Sequence, residues 1–445
     1  MALFRRGKIK SGEDIVPAQQ AGVETAIDSK ALRLKLSHIA ETKNKDRDLV
    51  KAALLDELTN AKALAAEMFE KGRLDGLEMA RRLSAIHDEI LTALYDYAVH
   101  HVVRAPNPTT AERMAICAVG GYGRAEMAPF SDLDLLFLLA DKKGSSFTES
   151  ITEYVLYMLW DLGLKVGHST RTTEQCISLA KEDQTILTSL LDLRFIAGDK
   201  PLASDLYLKY GKFVSAGRGR NYITAKLEER DGRHEREGNS RYVIEPNIKE
   251  GKGGLRDLHV LYWIAKYIQT DINIIDPQRA KNYVDMGLFG EHAATRFSRA
   301  ADFLWRARIH LHLTAGRATE TLSFDRQTVL ARKMGHAGGE IEEAVEKFMR
   351  EYFINAKEVG ALTRIACAKL EADNAIRLPK GLDRFLPNSR RAVKEPEFIL
   401  EHGRLNFKDA MQIRENPSLI LKLFQIAGKR NFCLLYTSPS PRDRG

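Results

Sequence analysis

One short run constrains this chain more than any other. Gly120-Gly121-Tyr122-Gly123-Arg124 is followed, at Ser131-Asp132-Leu133-Asp134, by a pair of carboxylates. The apolar run 115–119 before it reads as a buried strand, and Leu135-Leu136-Phe137-Leu138-Leu139 after it reads as a second. A fold that accepts this pattern ends one strand in a tight glycine turn and carries acids on the next. Positions i and i+2 of a strand share a face, so Asp132 and Asp134 present two hard oxygen ligands side by side. Mg²⁺ takes one or two carboxylates together with substrate phosphates, and this spacing suits that use. Gly120, Gly121 and Gly123 let the backbone turn and bring bare N–H groups against a phosphate, with Ser131 placed to add a hydrogen bond. Arg124 is left between two roles: contact with phosphate or the carboxylates, and a salt bridge to Glu126 or another acid. A lone GxG or Asp-x-Asp says little. Together, beside an apolar strand where an unpaired carboxylate is costly, they point to metal-assisted nucleotidyl transfer.

A second glycine-rich stretch occupies residues 245–257. Gly251, Gly253 and Gly254 alternate there with Lys249, Lys252 and Arg256, just ahead of an apolar helical pattern. Glycines and cations at a helix start suit a phosphate or a close partner backbone, which makes this a candidate substrate loop. The plainer reading is a turn whose Asp257 sits near the positive end of the next helix.

These residues carry a family resemblance. Residues 120–138, GGYGRAEMAPFSDLDLLFL, resemble the nucleotidyltransferase signature of the bacterial PII uridylyltransferase/uridylyl-removing enzymes, within the polymerase-β-like superfamily. Residues 162–169 with Arg171-Thr172 resemble the family's next strand, and residues 245–257 its most distinctive loop. Phe303-Leu304, Arg308, Leu311-His312, Gly316-Arg317, Phe324-Asp325, Gln327 and Met334-Gly335 resemble its helical segment. The similarity runs from about residue 30 to about residue 430. It implies a Mg²⁺-dependent enzyme that moves UMP from UTP to a tyrosine hydroxyl of the PII protein. Full-length members continue into an HD phosphohydrolase domain and paired ACT domains that sense glutamine. Neither is found here, so the resemblance implies a truncated chain without uridylyl-removing activity, and glutamine as a regulator only of the full-length protein. One departure stands out. Superfamily sites often use a third carboxylate on a neighbouring strand, where this chain has His168. Asp161 and Asp192 are the nearest acids and neither is assignable; His168 is left open as a ligand, a base or an ordinary polar residue at a strand end, with the last as the default reading.

The expected fold class is α+β: a polymerase-β-like nucleotidyltransferase domain with a small mixed sheet and helices, flanked by mostly helical regions. Strands are expected at 115–119, 133–139, 164–169 and 193–197, with helices at 147–162 and 173–182. The chain, at 445 residues, exceeds one core and divides as a flexible lead (1–30), a helical region (31–104), the nucleotidyltransferase domain (105–200), a helical associated domain (201–380), a linker with the start of a missing domain (381–432) and a tail foreign to the fold (433–445). His87-Asp88 invites a metal-phosphohydrolase reading, but no partnering His and Asp stand at suitable positions, so His87 reads as a helix-face residue.

Composition narrows the classes. No apolar run reaches the ~20 residues that span a bilayer, and the basic N-terminus lacks an apolar export region. The four cysteines show no metal or disulfide spacing, so a cytoplasmic setting is expected. The net charge of +8 comes from cations interleaved with acids, as across residues 226–237, without the aromatic spacing of a single-strand platform; a nucleic-acid substrate is not expected. Two other classes stay open: another nucleotidyltransferase, of the glutamine-synthetase-adenylylating or tRNA-end-adding type, and an inactive nucleotide-binding module.

Overall fold

The computed structural model describes residues 23–375 apart from 44, 104–108, 143, 217–218, 239, 241, 270–279 and 337–339, together with parts of 390–434. It divides into two compact units, Met1–Glu371 and Ala372–Gly445.

The first unit opens with α1 (Ser29–Thr42), α2 (Arg47–Glu70) and α3 (Gly76–Tyr97). Each begins at an aspartate whose carboxylate accepts backbone N–H groups of the first turn: Asp28, Asp46 and Asp75. Leu32, Leu36 and Ile39 of α1 and Val50, Leu54, Leu58, Ala61, Ala65 and Phe69 of α2 form the buried stripes that 3.6-residue periodicity requires. α3 is buried on most of its faces, because β4 and a later helix, α12, pack on it as well as α1 and α2.

The sheet follows. β1 (Met114–Ala118) runs into a one-turn helix α4 (Gly120–Gly123) and then β2 (Leu133–Leu139); α5 (Ser146–Asp161) leads to β3 (Val166–Thr172); α6 (Thr173–Glu182) and α7 (Gln184–Leu191) lead to β4 (Arg194–Gly198). The strand order is β3-β2-β1-β4, with β2 and β3 parallel and the other pairs antiparallel. This is the small mixed sheet of an α+β fold. Two details differ from the sequence reading. The third strand starts later and runs on through Arg171-Thr172, and β2 begins at Leu133, so Asp132 precedes the strand.

The remaining helices are α8 (Lys200–Ala216), α9 (Gly219–Arg236), α10 (Leu255–Gln269), α11 (Ala280–Asp285), α12 (Glu291–Ala315), α13 (Phe324–Lys333) and α14 (Ile341–Ala375). They share one continuous buried core with the sheet and with α1–α3. Residues 1–22 of the expected lead lie outside the described residues, while Ile27 is buried and Asp28 caps α1.

In the second unit β5 (Arg390–Ala392), β6 (Phe398–Glu401), β7 (Arg404–Phe407) and β8 (Cys433–Leu434) form a sheet in that order, with α15 (Leu419–Arg430) preceding β8. Cys433 and Leu434, at the start of the expected foreign tail, pair in parallel with Arg404 and Leu405. The linker positions 376–389 and the tail 435–445 lie outside the described residues.

Candidate active site

The acid pair and the glycine turn meet where β1 ends. Val119 N–H donates to the Asp134 carbonyl at 3.0 Å, and Gly120, at φ +60°, turns the chain into α4. Gly123 N–H donates to Val119 and Arg124 N–H to Gly120, which leaves the first N–H groups of the turn without helical partners. The Asp134 carboxylate is flanked by two glycines. A Cβ at Gly120 would lie 2.8 Å from Oδ2, and one at Gly167 of β3 would lie 2.8 Å from Oδ1. Gly167 pairs directly with Asp134 across the parallel ladder. Sequence reasoning passed over Gly167, since only strand register reveals its neighbour.

Asp132 is exposed at the mouth of the strand, delivered by a turn in which Ser131 N–H donates to the Ala128 carbonyl and Ser131 Oγ accepts from Ala128 N–H at 3.1 Å. Burial and then the nearby charge of Asp132 push the Asp134 carboxyl above its ordinary value, while Arg124 and Lys249 pull it down. Two repelling carboxylates, one of them with no side chain beside either oxygen at Gly120 and Gly167, fit a divalent cation. Among the described residues no cluster of three or more His, Cys, Asp or Glu side chains could hold a metal. Asp132 and Asp134 would offer two hard oxygen ligands, a set Mg²⁺ accepts when phosphate oxygens and water complete its shell.

Gly123 and Arg124 face the other way. A Cβ at Gly123 would fall 2.1 Å from the Asp192 carbonyl, so this glycine permits close backbone packing. Arg124 is buried; its Nε donates to Glu126 at 3.1 Å, its Nη1 to Asp192 at 2.6 Å, and its guanidinium stacks over Trp263. Of the two roles left open for Arg124, the geometry is that of the salt bridge. Beside it Arg194 donates to both Asp88 carboxylate oxygens, to the Tyr122 carbonyl at 2.9 Å and to the Gly123 carbonyl at 3.2 Å. This buried arginine fixes the carbonyl side of the turn, and a lone Arg in a short strand gave no signal of it. Asp88 is its counter-ion; His87 Nδ1–H donates to the Leu83 carbonyl, and the ring is buried, not on an open helix face.

The third-carboxylate candidates stand elsewhere. Asp161 pairs with Arg47 at the surface, and Asp192 is committed to Arg124 and Trp263. His168 pairs with Leu135 and so lies on the sheet face opposite Asp134.

The 245–257 loop is pinned to the segment after α12. Ile248 N–H donates to the Glu320 carbonyl, Leu322 N–H to the Pro246 carbonyl, and Asn247 Oδ1 accepts from Lys249 and Glu250 N–H. Arg308 forks onto Glu320, His312 stands 3.6 Å from the same carboxylate, and the His312 ring lies 6.4 Å from Phe130, just ahead of Asp132. Lys249 of this loop lies within electrostatic reach of Asp134, and its ammonium stands 3.9 Å from Glu250. Burial, then Arg308 and Arg256, hold the Lys249 ammonium below its ordinary value. Arg256 is tied to Glu250 at 2.9 Å. The three glycines are closed: a Cβ at Gly251, Gly253 or Gly254 would lie 2.4, 2.0 or 2.6 Å from the carbonyl of Asn247, Ala356 or Ile248. Asp257 accepts from Gly253 N–H, His234 and Arg233.

Comparison with known proteins agrees with this order of parts. The family model described as GlnD PII-uridylyltransferase matches residues 221–367, and that described as glutamate-ammonia ligase adenylyltransferase matches residues 18–165. The chain is 46% identical over 419 residues to a bifunctional uridylyltransferase/uridylyl-removing enzyme of Phenylobacterium zucineum, covering 93% of this chain and 44% of the relative. Proteins of the same name from Caulobacter vibrioides and Bradyrhizobium diazoefficiens are 45% and 40% identical, over 93% and 94% of this chain and 44% and 45% of theirs. The chain thus spans under half the length of the curated relatives it matches. Over that span, it belongs to the bifunctional uridylyltransferase/uridylyl-removing enzyme family.

Proposed function

We propose that the chain is a nucleotidyltransferase of polymerase-β-like fold that moves UMP from UTP to a tyrosine hydroxyl of a PII protein, releasing pyrophosphate. The single observation that carries this is the Asp132/Asp134 pair set against the Gly120 turn, with Lys249 brought to it from a distant loop. The acceptor oxygen bonds to the α-phosphorus as the bond to pyrophosphate breaks, and the hydroxyl proton leaves to solvent. Negative charge grows on both the attacking and leaving oxygens. Asp132 and Asp134 would hold a Mg²⁺, which when bound would supply charge neutralisation and alignment for an in-line displacement. The open N–H groups at Gly120 and Gly121 receive the phosphate tail, Ser131 sets Asp132, and Lys249 meets charge on the leaving side. Gly123, Arg124 and Arg194 keep the turn in place. No described helix is long and apolar enough to cross a membrane, in keeping with a cytoplasmic enzyme.

A second reading draws on the adenylyltransferase model that spans the acids: AMP transfer from ATP to another enzyme. High identity over most of the chain to proteins named uridylyltransferases favours the first. Incubation with Mg²⁺, a PII protein and labelled UTP or ATP separates the two. UTP-dependent label on PII, lost in Asp132→Asn and Asp134→Asn, is expected. ATP preference would transfer the case to the second reading, and label unaffected by both substitutions would end the first.

A further inference from the structure

β3 is an outer strand, and among the described residues no strand pairs with its far side. Leu133 N–H donates to the Lys165 carbonyl at 2.8 Å. Main-chain bonds alternate along a parallel ladder, so Lys165, Gly167, Ser169 and Arg171 turn theirs to β2, while His168 and Thr170 turn N–H and C=O outward. Gly167, His168 and Thr170 are exposed. Tyr157 and Trp160 of α5 stand beside this edge, 54% and 44% exposed and edge-to-face with each other, with the Trp160 ring 6.2 Å from His168. The strand and the residue before it carry Lys165, His168 and Arg171 and no acid. The edge also passes the chemistry, because Gly167 of this strand pairs with Asp134 and lies against its Oδ1 with no side chain between, while Gly120 flanks Oδ2.

We propose that the open edge of β3 docks the acceptor as an extended, acidic polypeptide segment that adds a strand and brings its hydroxyl to Asp134 over Gly167. Delivery of the hydroxyl rests on the transferase reading; the docking does not. A polypeptide fits where a nucleic acid does not, because outward N–H and C=O groups at strand spacing are matched by another backbone, whereas a phosphodiester chain offers acceptors alone. The cations along the strand complement an acidic segment, and the aromatic pair supplies a side-chain contact that selects among extended segments.

Hydrogen exchange of the full chain with and without a PII protein tests this directly. The His168 and Thr170 amides are expected to slow when the acceptor is added, while those of β4 stay unchanged. Thr170→Pro removes an outward donor and spares the ladder to β2; it should weaken acceptor binding about tenfold and leave UTP binding unaltered. Trp160→Ala, at an exposed position, gives an independent loss of acceptor affinity if the proline variant fails to fold. Exchange at His168 and Thr170 that ignores the acceptor, absence of acceptor binding, or protection by a short RNA instead would each overturn the proposal. UTP transfer with β3 unprotected would sink the docking alone; protection of β3 without UTP transfer would sink the transferase reading alone.

Discussion

Two glycine-rich segments carry the same sequence signal and do opposite things in space. At the 120–123 turn, the three atoms nearest to a Cβ on Gly120 all belong to the Asp134 side chain, so this glycine faces one of the candidate metal ligands. In the 245–257 loop the three glycines meet backbone carbonyls of the loop itself or of α14 at 2.0–2.6 Å, so they permit packing. A glycine reports that something comes close; it does not say what. At Gly120 the approach is to a carboxylate, whereas at Gly123 of the same turn and throughout the second segment it is to carbonyl groups already in place. The loop's chemistry then falls to Lys249, the cation the loop carries to the acids.

This contrast breaks most sharply at the acids. Asp134→Asn should lower turnover about 10³-fold or more, roughly 4 kcal/mol in the barrier, in a label-transfer assay. Its stability at neutral pH should not fall, because burial and Asp132 already disfavour the charged form. Gly253→Ala should behave in the reverse manner. At φ +84° with Ala356 in the way, it should cost about 3 kcal/mol in urea unfolding, and activity should follow the folded fraction. Lys249→Ala should lower kcat by about 10²-fold at unchanged urea midpoint, with partial rescue by Lys249→Arg. If it unfolds the protein instead, the loop's cation belongs to packing along with its glycines. Gly120→Ala should cost about 1 kcal/mol of stability from its left-handed backbone, and its activity loss should exceed what unfolding explains.

The last effect concerns pH. Burial holds His87 at about 3 against an ordinary 6.5. The unfolded chain therefore takes up the proton first, and stability is lost as pH drops below about 6.5, by at most ~1.4 kcal/mol per unit, until near 3. His87→Gln should flatten the acid limb of a thermal midpoint against pH profile, and an unchanged limb would show that His87 is not the group responsible.

Legibility followed the range of the interaction. Apolar runs at 115–119 and 133–139 could be read as strands because burial on both faces leaves a local signature, and the aspartate caps of α1–α3 are likewise local. Asp132 and Asp134 were readable as neighbours because two positions cannot be far apart. Gly167, Arg194 and Asp88 were not, since each acquires its partner only through strand register or helix packing. Arg124 shows the boundary well: the sequence left two roles open, and a tertiary neighbour, Asp192, supplied the second counter-ion.

The sequence by itself determined the α+β class, the order of the elements around the glycine turn, and the acid pair, because these depend on periodicity and near neighbours. Only the tertiary structure decided which glycines face a carboxylate and which a backbone carbonyl, that Lys249 lies within electrostatic reach of Asp134, and that β3 lies at the sheet's edge with Gly167 beside Asp134. The reason is physical: side-chain alternation and helical period act over a few residues, whereas register and packing join segments that the chain order keeps apart.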